Sequence, residues 1–370
     1  MDGSNRIEQF LINVEKARTE HLTGTGQMLS RFSFPAELGV YGVGKAREGS
    51  QNIHTRLIGT SWLAHGGDAS AVALSEQRMT FLAISQEMFQ DFSLVHDDLL
   101  DHAMTRRGRA SLQAHFEQMH KERGWLGGSG PMARSLALLI GDAILVVSDT
   151  VFSKALRGIN TPQTDYILEL QHLTRIEQMM GQAMDTVYPY LPDLDDPERI
   201  VESAFETIQA KTARYMAGTP LAMGAAGAGA DLAEADIMME FGLRLGEAYQ
   251  LRDDQLGVTG DPALTGKPVG QDLVDGKRTV LVGLTLRRLS VDDRRAFAKA
   301  LLRGTTPPVQ ARVAWLQRII RESGALDELE NMITVRRAEA LEILETSEVD
   351  REGKAMLRSA ADWLLSRTSS

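Results

Sequence analysis

Residues 84–101 read ISQEMFQDFSLVHDDLLD, and apolar side chains recur in this stretch at intervals of three and four residues. The recurring residues are Ile84, Met88, Phe92, Val95 and Leu99. This spacing places all of them on one face of an α-helix. Alternating β-branched runs bounded by turn residues, which would predict strands, are nearly absent from the chain. The pattern therefore predicts an all-α protein.

Similar helical stretches continue along the chain, separated by breaks that are polar or rich in glycine and proline. The breaks fall at residues 124–131, 159–165, 191–199, 224–231, 259–270 and 303–310. Roughly ten helical segments lie between them. We find no internal repeat and no low-complexity linker, so the simplest prediction is one large helical bundle. Such bundles build their sites from side chains on facing helices.

Composition narrows the class of protein. A chain of 370 residues with 43% hydrophobic residues can bury a large core. The formal net charge of −10 disfavours a nucleic-acid binder, which usually carries a basic patch. The chain has no cysteine, which excludes disulfides and thiolate chemistry and fits a reducing compartment. The N-terminus lacks the apolar core of a signal peptide, and the longest apolar runs are short and broken. We therefore expect a soluble, cytoplasmic protein without a membrane span.

The first chemical signal is LVHDDLLDHAMTRRGR (94–109). Asp97 and Asp101 are four residues apart and share a helix face, with Asp98 beside them. Three carboxylates on an apolar helix repel one another unless a cation compensates, and Mg²⁺ suits carboxylates, waters and phosphate oxygens. Guanidinium groups, which bind phosphate, follow at Arg106, Arg107 and Arg109. Taken alone, such a cluster is more often a solvated acidic turn followed by a basic one.

The second signal repeats this layout between residues 248 and 281. Asp253 and Asp254 lie in the apolar run GEAYQLRDDQLGV, and Lys267 and Lys277 follow. Between the two acidic units, QAKTARYM (209–216) supplies Lys211 and Thr212, a pair that by itself would usually face solvent. Together these features indicate a diphosphate clamp, in which two facing acidic helices hold Mg²⁺ and the cations neutralise a diphosphate leaving an allylic carbon. The remaining helices would supply an apolar cavity for a hydrocarbon tail.

These motifs resemble those of the trans-isoprenyl diphosphate synthases (polyprenyl synthetases) over about residues 30 to 350. The matching segments are HDDLLD with TRRGR, the Lys211-Thr212 pair, and YQLRDDQLG with GDPALTGKPVGQDLVDGKRT. The resemblance implies an all-α bundle of the isoprenoid synthase type with a central cavity, a homodimer, and Mg²⁺-dependent prenyl transfer. It also implies an isoprenoid synthase domain over residues 31–370, with residues 1–30 as an N-terminal helical segment packing on it.

The resemblance assigns roles to individual residues. The metal ligands would be Asp97, Asp98, Asp101, Asp253 and Asp254. Two or three Mg²⁺ ions would be expected with bound diphosphate. The catalytic set would consist of these aspartates together with Lys211. Diphosphate contacts would come from Arg106, Arg107, Lys211, Thr212, Gln250, Lys267 and Lys277. The family often has a third aspartate where this chain has Gly257. Phe92 and Ser93 would shape a pocket for a C15–C20 tail, although ordinary core packing explains Phe92 equally well.

The family's acceptor loop, Gly-Gly-Lys-Arg-Leu-Arg-Pro, aligns with GSQNIHT (49–55). The cations are replaced by Gln51, Asn52 and His54, and a helix histidine is replaced by Gln90. A hydrogen bond to a charged group contributes about 1.5–3 kcal/mol, so losing three cations would weaken isopentenyl diphosphate binding by orders of magnitude. A slipped alignment, with Lys45 and Arg47 as the cationic loop, would restore the ordinary site.

The leading interpretation is a Mg²⁺-dependent prenyltransferase that ionises a C15–C20 allylic diphosphate and passes the prenyl group to a neutral small-molecule acceptor such as an indole. Gln51, Asn52, His54 and Gln90 would line the acceptor pocket, with His54 accepting a proton unless it merely packs in the loop. The alternatives are an ordinary chain-elongating farnesyl or geranylgeranyl diphosphate synthase, a terpene cyclase, and a non-catalytic subunit.

Overall fold

The structure, a computed structural model, describes residues 3–29, 51–70, 72–106, 108–192, 194, 196–260, 270–302 and 309–366. Helices dominate the described residues, which confirms the predicted all-α class. The first six helices are α1 (Gly3–Leu29), α2 (Ile53–Ala64), α3 (Glu76–Leu100), α4 (Leu112–Glu122), α5 (Ser129–Leu156) and α6 (Pro162–Val187). A two-residue antiparallel pair, β1 (Thr105–Arg106) and β2 (Arg109–Ala110), lies between α3 and α4.

The second half of the chain continues the helical pattern. Its α-helices are α7 (Pro197–Ile208), α8 (Thr219–Gly227), α9 (Leu232–Thr259), α10 (Gln271–Val274), α11 (Val280–Arg288), α12 (Val291–Leu301), α13 (Val309–Glu322), α14 (Ala325–Thr346) and α15 (Arg351–Leu365). A short 3₁₀ turn (Tyr188–Tyr190) follows α6, and a π-helix (Gln209–Gly218) follows α7.

The chain forms two compact units, each assembled from segments distant in sequence. Unit 1 comprises Met1–Ile167, Pro220–Ala235 and Val349–Ala360. Unit 2 comprises Leu168–Thr219, Asp236–Glu348 and Ala361–Ser370. Within unit 1, α1 packs on α2 and α3. The expected domain boundary at residue 30 stays a prediction.

Helix α3 is the centre of unit 1 and packs against α2 and α5. The periodic residues of its sequence form the buried face: Ile84 is 0% exposed, Met88 1%, Phe92 6% and Val95 4%. The helix ends at Leu100, directly after the first acidic pair. The apolar face therefore fixes the helix in the core, and the acidic residues are carried at its C-terminal end.

The core of unit 2 contains α11, which is buried over most of its length and packs on α7 and α14. The Thr279 hydroxyl caps α11 by accepting from the Val282 N–H at 3.4 Å. Just before this cap, the Arg278 guanidinium donates to the Leu191 carbonyl. These contacts fix the chain that follows the second acidic motif, including Lys277.

Helix α5 is longer and more apolar than we expected from the sequence, which predicted that the apolar runs are too short to span a membrane. Its 28 residues contain an 18-residue window of mean hydropathy 1.9, of which 39% is buried. By length and composition it is the one helix in the described ranges able to cross a bilayer. A single such helix is weak evidence for a span, since core helices pass the same test.

Candidate functional site

The first acidic group consists of Asp97, Asp98 and Asp101 in unit 1. Asp97 and Asp98 occupy the last turn of α3. Asp101 is the C-cap residue that follows the helix, and its N–H donates to the Asp97 carbonyl at 2.9 Å. Gln113 of α4 donates to the carbonyls of Asp98 at 3.3 Å and Ala103 at 2.9 Å. The turn that carries the three carboxylates is therefore tied to the neighbouring helix.

Arg106 binds this group directly. It lies on β1, and the short hairpin, closed by Gly108 at φ +70°, brings its guanidinium back to the helix end. Nε donates to Asp98 Oδ1 at 2.8 Å and Nη2 to Asp97 Oδ2 at 2.8 Å. Burial lowers the pKa of Arg106, but the charges of Asp97 and Asp98 outweigh it and raise that pKa above its ordinary value. One guanidinium neutralises only part of the charge of the three carboxylates, so the group as a whole stays negative.

The predicted tail residues lie one turn before the acidic group. The Phe92 ring is buried against Phe89 and His96, with centroids 5.4 Å and 4.5 Å away. The Ser93 hydroxyl is also buried, and within the described part of the chain it has no hydrogen-bond partner. Phe92 thus makes the core contacts that the simpler interpretation predicted, and a role of either residue in tail binding stays a prediction.

The predicted acceptor residues Asn52 and His54 lie at the start of α2. Asn52 is the N-cap residue in a left-handed conformation, φ 52°. His54 is 1% exposed and lies beside Glu87 of α3, its Nδ1 3.7 Å from Glu87 Oε1. The same carboxylate accepts the Thr55 N–H at 2.9 Å. His54 is therefore part of the buried interior of unit 1 rather than a surface histidine.

A second buried charge pair lies in the same place. Arg18 of α1 is 1% exposed, pairs with Asp91, and donates to Asn52 Oδ1 at 3.4 Å. Burial would raise the pKa of Glu87, but the hydrogen bond and charge of His54, the charge of Arg18 and the Thr55 N–H together lower it to about 2. Arg18, Asn52, His54, Glu87 and Asp91 form what we call the buried charge network. Gln51 and Gln90 are partly buried, and in the sequence they directly precede the network residues Asn52 and Asp91.

Sequence reasoning missed three members of this network, Arg18, Glu87 and Asp91. A signal was present, because Glu87 and Asp91 are four residues apart on an otherwise apolar helix. Carboxylates on a core-facing stripe are rarely buried unless paired. Their partners come from α1 and α2, and nothing in the local sequence of α3 identifies them.

The second acidic group lies in unit 2, where Asp253 and Asp254 are carried by α9. Asp254 is 7% exposed and accepts from Gln250, one turn earlier, at 2.8 Å. Burial raises the pKa of Asp254 well above its ordinary value, and the charges of Asp272, Asp253 and Asp185 add to this against the Gln250 hydrogen bond. Several carboxylates thus act on one buried position, which is the electrostatic situation that a bound cation relieves.

The lysines of unit 2 gather around Asp185, a residue that sequence reasoning did not select. Lys211 Nζ lies 2.6 Å from Asp185 Oδ2, and Lys277 Nζ lies 3.6 Å from the same oxygen. Lys277 is also 3.8 Å from Asp272 Oδ1. Thr212 is partly buried next to Lys211. The two predicted phosphate-binding lysines are therefore brought together by a carboxylate that has no acidic neighbour in sequence to mark it.

The π-helix places Lys211. Such segments occur frequently at functional sites. Gly181 of α6 lies so close that a Cβ there would collide with the Lys211 backbone nitrogen. At the start of the segment, Gln209 donates to Glu247 Oε1 at 2.8 Å, and Glu247 is 0% exposed and also pairs with Arg336. Backbone packing on one side and a buried carboxylate on the other therefore determine where Lys211 lies.

Four predicted residues lie outside the described residues, namely Lys45, Arg47, Arg107 and Lys267. Within the described ranges, no three histidine or acidic side chains converge closely enough to hold a metal by themselves. Mg²⁺ does not require such a cage, because it usually binds through one or two carboxylates together with waters and substrate phosphates. The donor chemistry of both acidic groups, carboxylate oxygens alone, fits that ion.

Comparison with known proteins gives a consistent result. A polyprenyl synthetase family model matches residues 67–316. The geranylfarnesyl diphosphate synthase of Aeropyrum pernix is 30% identical over 79% of this chain and 84% of its own length. A short chain isoprenyl diphosphate synthase of Methanothermobacter thermautotrophicus is 30% identical over 86% of this chain and 87% of its own length.

Among solved structures, the geranylgeranyl pyrophosphate synthase of Corynebacterium glutamicum, complexed with isoprenyl diphosphate and magnesium, is similar to the whole chain. Its TM-score is 0.87 at 29% sequence identity, with 98% of this chain and 99% of that chain covered. The helical architecture predicted from the sequence is therefore confirmed.

Proposed function

The chain belongs to the polyprenyl synthetase family, and from that premise we propose that it elongates an allylic diphosphate with isopentenyl diphosphate, yielding a C15–C20 prenyl diphosphate. The observation that carries this proposal is the retention, in family order, of both acidic groups and the lysines Lys211 and Lys277. Our expectation of a neutral acceptor has weaker support, because the relatives described above are named as diphosphate or pyrophosphate synthases.

The donor half of the reaction is assigned to the two acidic groups. Asp97, Asp98, Asp101, Asp253 and Asp254 would hold Mg²⁺. When bound, Mg²⁺ neutralises the charge that develops on a departing diphosphate. Arg106, Lys211 and Lys277 would contact the diphosphate oxygens, and Asp185 would keep the two lysines together. Thr212, Gln250, Arg107 and Lys267 belong to the same proposed set.

The chemical step needs no covalent enzyme intermediate. The allylic C–O bond breaks, and its electron pair leaves with the diphosphate. The double bond of isopentenyl diphosphate attacks the resulting allylic cation, and a proton passes from the neighbouring carbon to the released diphosphate. The protein contributes preorganised charge around the leaving group, which is usually the largest single term in such catalysis.

Transfer to a neutral acceptor remains the second candidate, because one feature favours it. Gln51 and Asn52 stand where the family has cations. The guanidinium of Arg18, which donates to Asn52, is already paired with Asp91. A paired, buried guanidinium is a poor partner for a second diphosphate. The buried charge network would in that case border an acceptor site without net positive charge.

The decisive experiment is product analysis by mass spectrometry. Purified protein with Mg²⁺ is incubated with geranyl, farnesyl or geranylgeranyl diphosphate, each alone, with isopentenyl diphosphate, and with indole. We expect elongated diphosphates only when isopentenyl diphosphate is present. A prenylated indole without elongation would select the second candidate, a hydrocarbon or alcohol from the donor alone would select a cyclase, and no turnover at all would select a non-catalytic subunit.

Two variants test whether the activity depends on the acidic groups. Asp97→Asn and Asp253→Asn should each abolish product formation. The matched control is Asp292→Asn, which changes a carboxylate that is 97% exposed and far in sequence from either group. Equal activity in all three variants would contradict the assignment.

We also propose that the protein works in the cytoplasm as a homodimer. The absence of cysteine from the chain fits a reducing compartment. Support for a dimer comes from the exposed apolar residues on α5 and α6.

A further inference from the structure

The π-helix that carries Lys211 lies directly against α9, the helix that also carries the second acidic group. A Cβ built on Gly246 of α9 would lie 2.5 Å from the Ala213 Cα. One built on Gly242 would lie 2.6 Å from the Ala217 carbonyl oxygen. The two glycines are four residues apart and share a helix face. Because this face has no side chains, the two backbones pack together, and α9 supports both the lysine and the aspartates.

Glu247, the residue after Gly246, makes a polar contact with the start of the same segment. It is 0% exposed, and its Oε1 accepts from Gln209 Nε2 at 2.8 Å. Gln209 is the first residue of the π-helix and lies two residues before Lys211. A hydrogen bond to an ionised group is about twice as strong as one between neutral groups. The contact therefore anchors the start of the π-helix to α9.

Two guanidinium groups neutralise the buried charge of Glu247. Arg244 Nη1 of α9 lies 3.1 Å from Glu247 Oε2, and Arg336 Nε of α14 lies 2.7 Å from the same oxygen. The Arg336 guanidinium also lies over the Phe205 ring, 5.5 Å from its centroid. Apolar residues of similar volume often stabilise a fold as well as a buried ion pair does. Stability alone therefore does not require a carboxylate here, whereas the contact with Gln209 does.

We propose that Glu247 is a positioning residue for the allylic donor. Through Gln209 it holds the start of the π-helix on α9, and this fixes where the Lys211 ammonium lies relative to the second acidic group. The inference rests on the proposed function, since it takes Lys211 to contact the allylic diphosphate. The effect should be specific to the donor, because the predicted acceptor residues belong to unit 1 and this contact belongs to unit 2.

The test breaks the hydrogen bond and then rebuilds it with the partners exchanged. Gln209→Glu places a second carboxylate against Glu247, which removes the donor and adds repulsion. Gln209 is itself exposed, so the position tolerates a charge. In the double variant Gln209→Glu with Glu247→Gln, the new amide donates to the new carboxylate, and the hydrogen bond returns with its direction reversed. Gln209→Ala removes the donor without adding a charge.

Two measurements follow the donor and the acceptor separately. Steady-state kinetics give the KM of geranyl diphosphate and of isopentenyl diphosphate, and isothermal titration calorimetry gives the Kd of the unreactive analogue geranyl thiolodiphosphate with Mg²⁺. Gln209→Glu and Gln209→Ala should raise the KM and Kd of the donor about 10-fold, since a displacement of about 1 Å can cost about 100-fold. The KM of isopentenyl diphosphate should change little.

The double variant distinguishes positioning from a merely structural role. It should recover donor affinity although it melts at a lower temperature, because the two guanidinium groups lose the carboxylate at position 247. The matched control is Glu339→Gln. Glu339 pairs with the same guanidinium groups, 2.7 Å from Arg336 Nη1 and 3.7 Å from Arg244 Nε, but is 38% exposed. This control should bind the donor like the unmodified protein.

The outcomes separate this inference from the proposed function. Circular dichroism establishes that each variant is folded. Unchanged donor affinity in Gln209→Glu and Gln209→Ala, or a folded double variant that does not recover it, would overturn the inference. If Lys211→Ala weakens donor binding and the Gln209 variants do not, the proposed function stands without the inference. If Lys211→Ala changes neither donor binding nor turnover, the donor site of the proposed function itself fails.

Discussion

Glu87 shows how a buried carboxylate can stay charged in this protein. It is 1% exposed, and its pKa is lowered to about 2 against the cost of burial by His54, Arg18 and the Thr55 N–H. The low pKa means that the folded protein binds a proton at Glu87 less readily than the unfolded chain does. The charge of Glu87 therefore contributes stability above its ordinary pKa of 4.5, and that contribution is lost as the pH falls toward 2.

The first prediction follows from this sign. The difference between 4.5 and about 2 corresponds to a contribution on the order of 3 kcal/mol. Glu87→Gln should lower the free energy of unfolding by about that amount at pH 7, and the gap between the two proteins should close between about pH 4.5 and pH 2. Urea titrations at a series of pH values measure it. A constant gap over this window would contradict the prediction.

The second prediction concerns the ion pair between Arg18 and Asp91. Removing one partner of a buried pair leaves an uncompensated charge, so Arg18→Ala should cost about 3–5 kcal/mol of unfolding free energy. Replacing both charges with apolar residues, as in Arg18→Met with Asp91→Leu, should recover most of that loss. The matched control is Arg337→Ala, since the exposed pair of Arg337 with Asp362 should be worth less than about 1 kcal/mol. Equal losses in Arg18→Ala and Arg337→Ala would show that burial does not govern the pair.

The functional role of a single residue could be predicted only where its spacing from similar residues nearby in the sequence was informative. Asp97, Asp98, Asp253 and Asp254 were recognisable because paired carboxylates on apolar helices require a physical reason. Asp185 was not, since it is the lone acid of its turn and its importance lies in which lysines it contacts. The same holds for Arg18, whose partners are more than 30 residues away in sequence.

The π-helix between α7 and α8 explains why a glycine of α6 matters to a lysine of another helix. Gly181 allows the backbone of the π-helix to approach closely at Lys211. The third prediction is that Gly181→Ala displaces this backbone. Overpacking of this kind should cost about 1–3 kcal/mol of stability. It should also raise the KM for the allylic diphosphate, because the Lys211 ammonium moves.

The control for this variant is Gly130→Ala in α5. A Cβ at Gly130 would meet its nearest atom at 3.4 Å, the end of the flexible Arg134 side chain. This substitution should leave KM unchanged and leave stability unchanged or slightly increased. Steady-state kinetics and thermal melting of the two variants measure the difference. An unchanged KM in Gly181→Ala would show that Lys211 tolerates the shift.

Secondary structure was predictable where the spacing of apolar residues along the chain determines it. The apolar spacing that predicted α3 became its buried face, and the predicted breaks at residues 124–131 and 159–165 separate α4, α5 and α6. The π-helix was not predictable, because a wider backbone turn persists only when tertiary contacts hold it. The hairpin of β1 and β2 is too short to show an alternating pattern.

Two apolar helix faces are left exposed on the described chain. On α5, Leu139 is 62% and Val146 64% exposed, and seven residues separate them, which places them on one face. On α6, Ile176 is 61% and Met180 56% exposed, four residues apart. Apolar surface repeated in this way is typical of a protein interface. In the proposed homodimer, a second copy of the chain would cover these apolar faces.

The fourth prediction tests that dimer. Leu139→Glu with Val146→Glu places two charges on the α5 face and should convert a dimer into a monomer, measured by light scattering after size-exclusion chromatography. Val291→Glu, at a residue 62% exposed at the start of α12, is the control and should not change the mass. A monomer in the unmodified protein would refute the dimer. Retention on lipid vesicles, lost in the double variant, would instead assign the α5 face to a membrane.

Unit 1 contains both the N-terminal region and a late segment of the chain, Val349–Ala360. The contact is intimate, since a Cβ at Gly353 of α15 would lie 2.5 Å from the Ala64 carbonyl oxygen at the end of α2. During synthesis, α2, which packs on the helix that carries the first acidic group, therefore lacks this contact until the segment Val349–Ala360 has left the ribosome. Nascent chains would expose apolar surface throughout that delay, so chaperone dependence should be greatest late in translation.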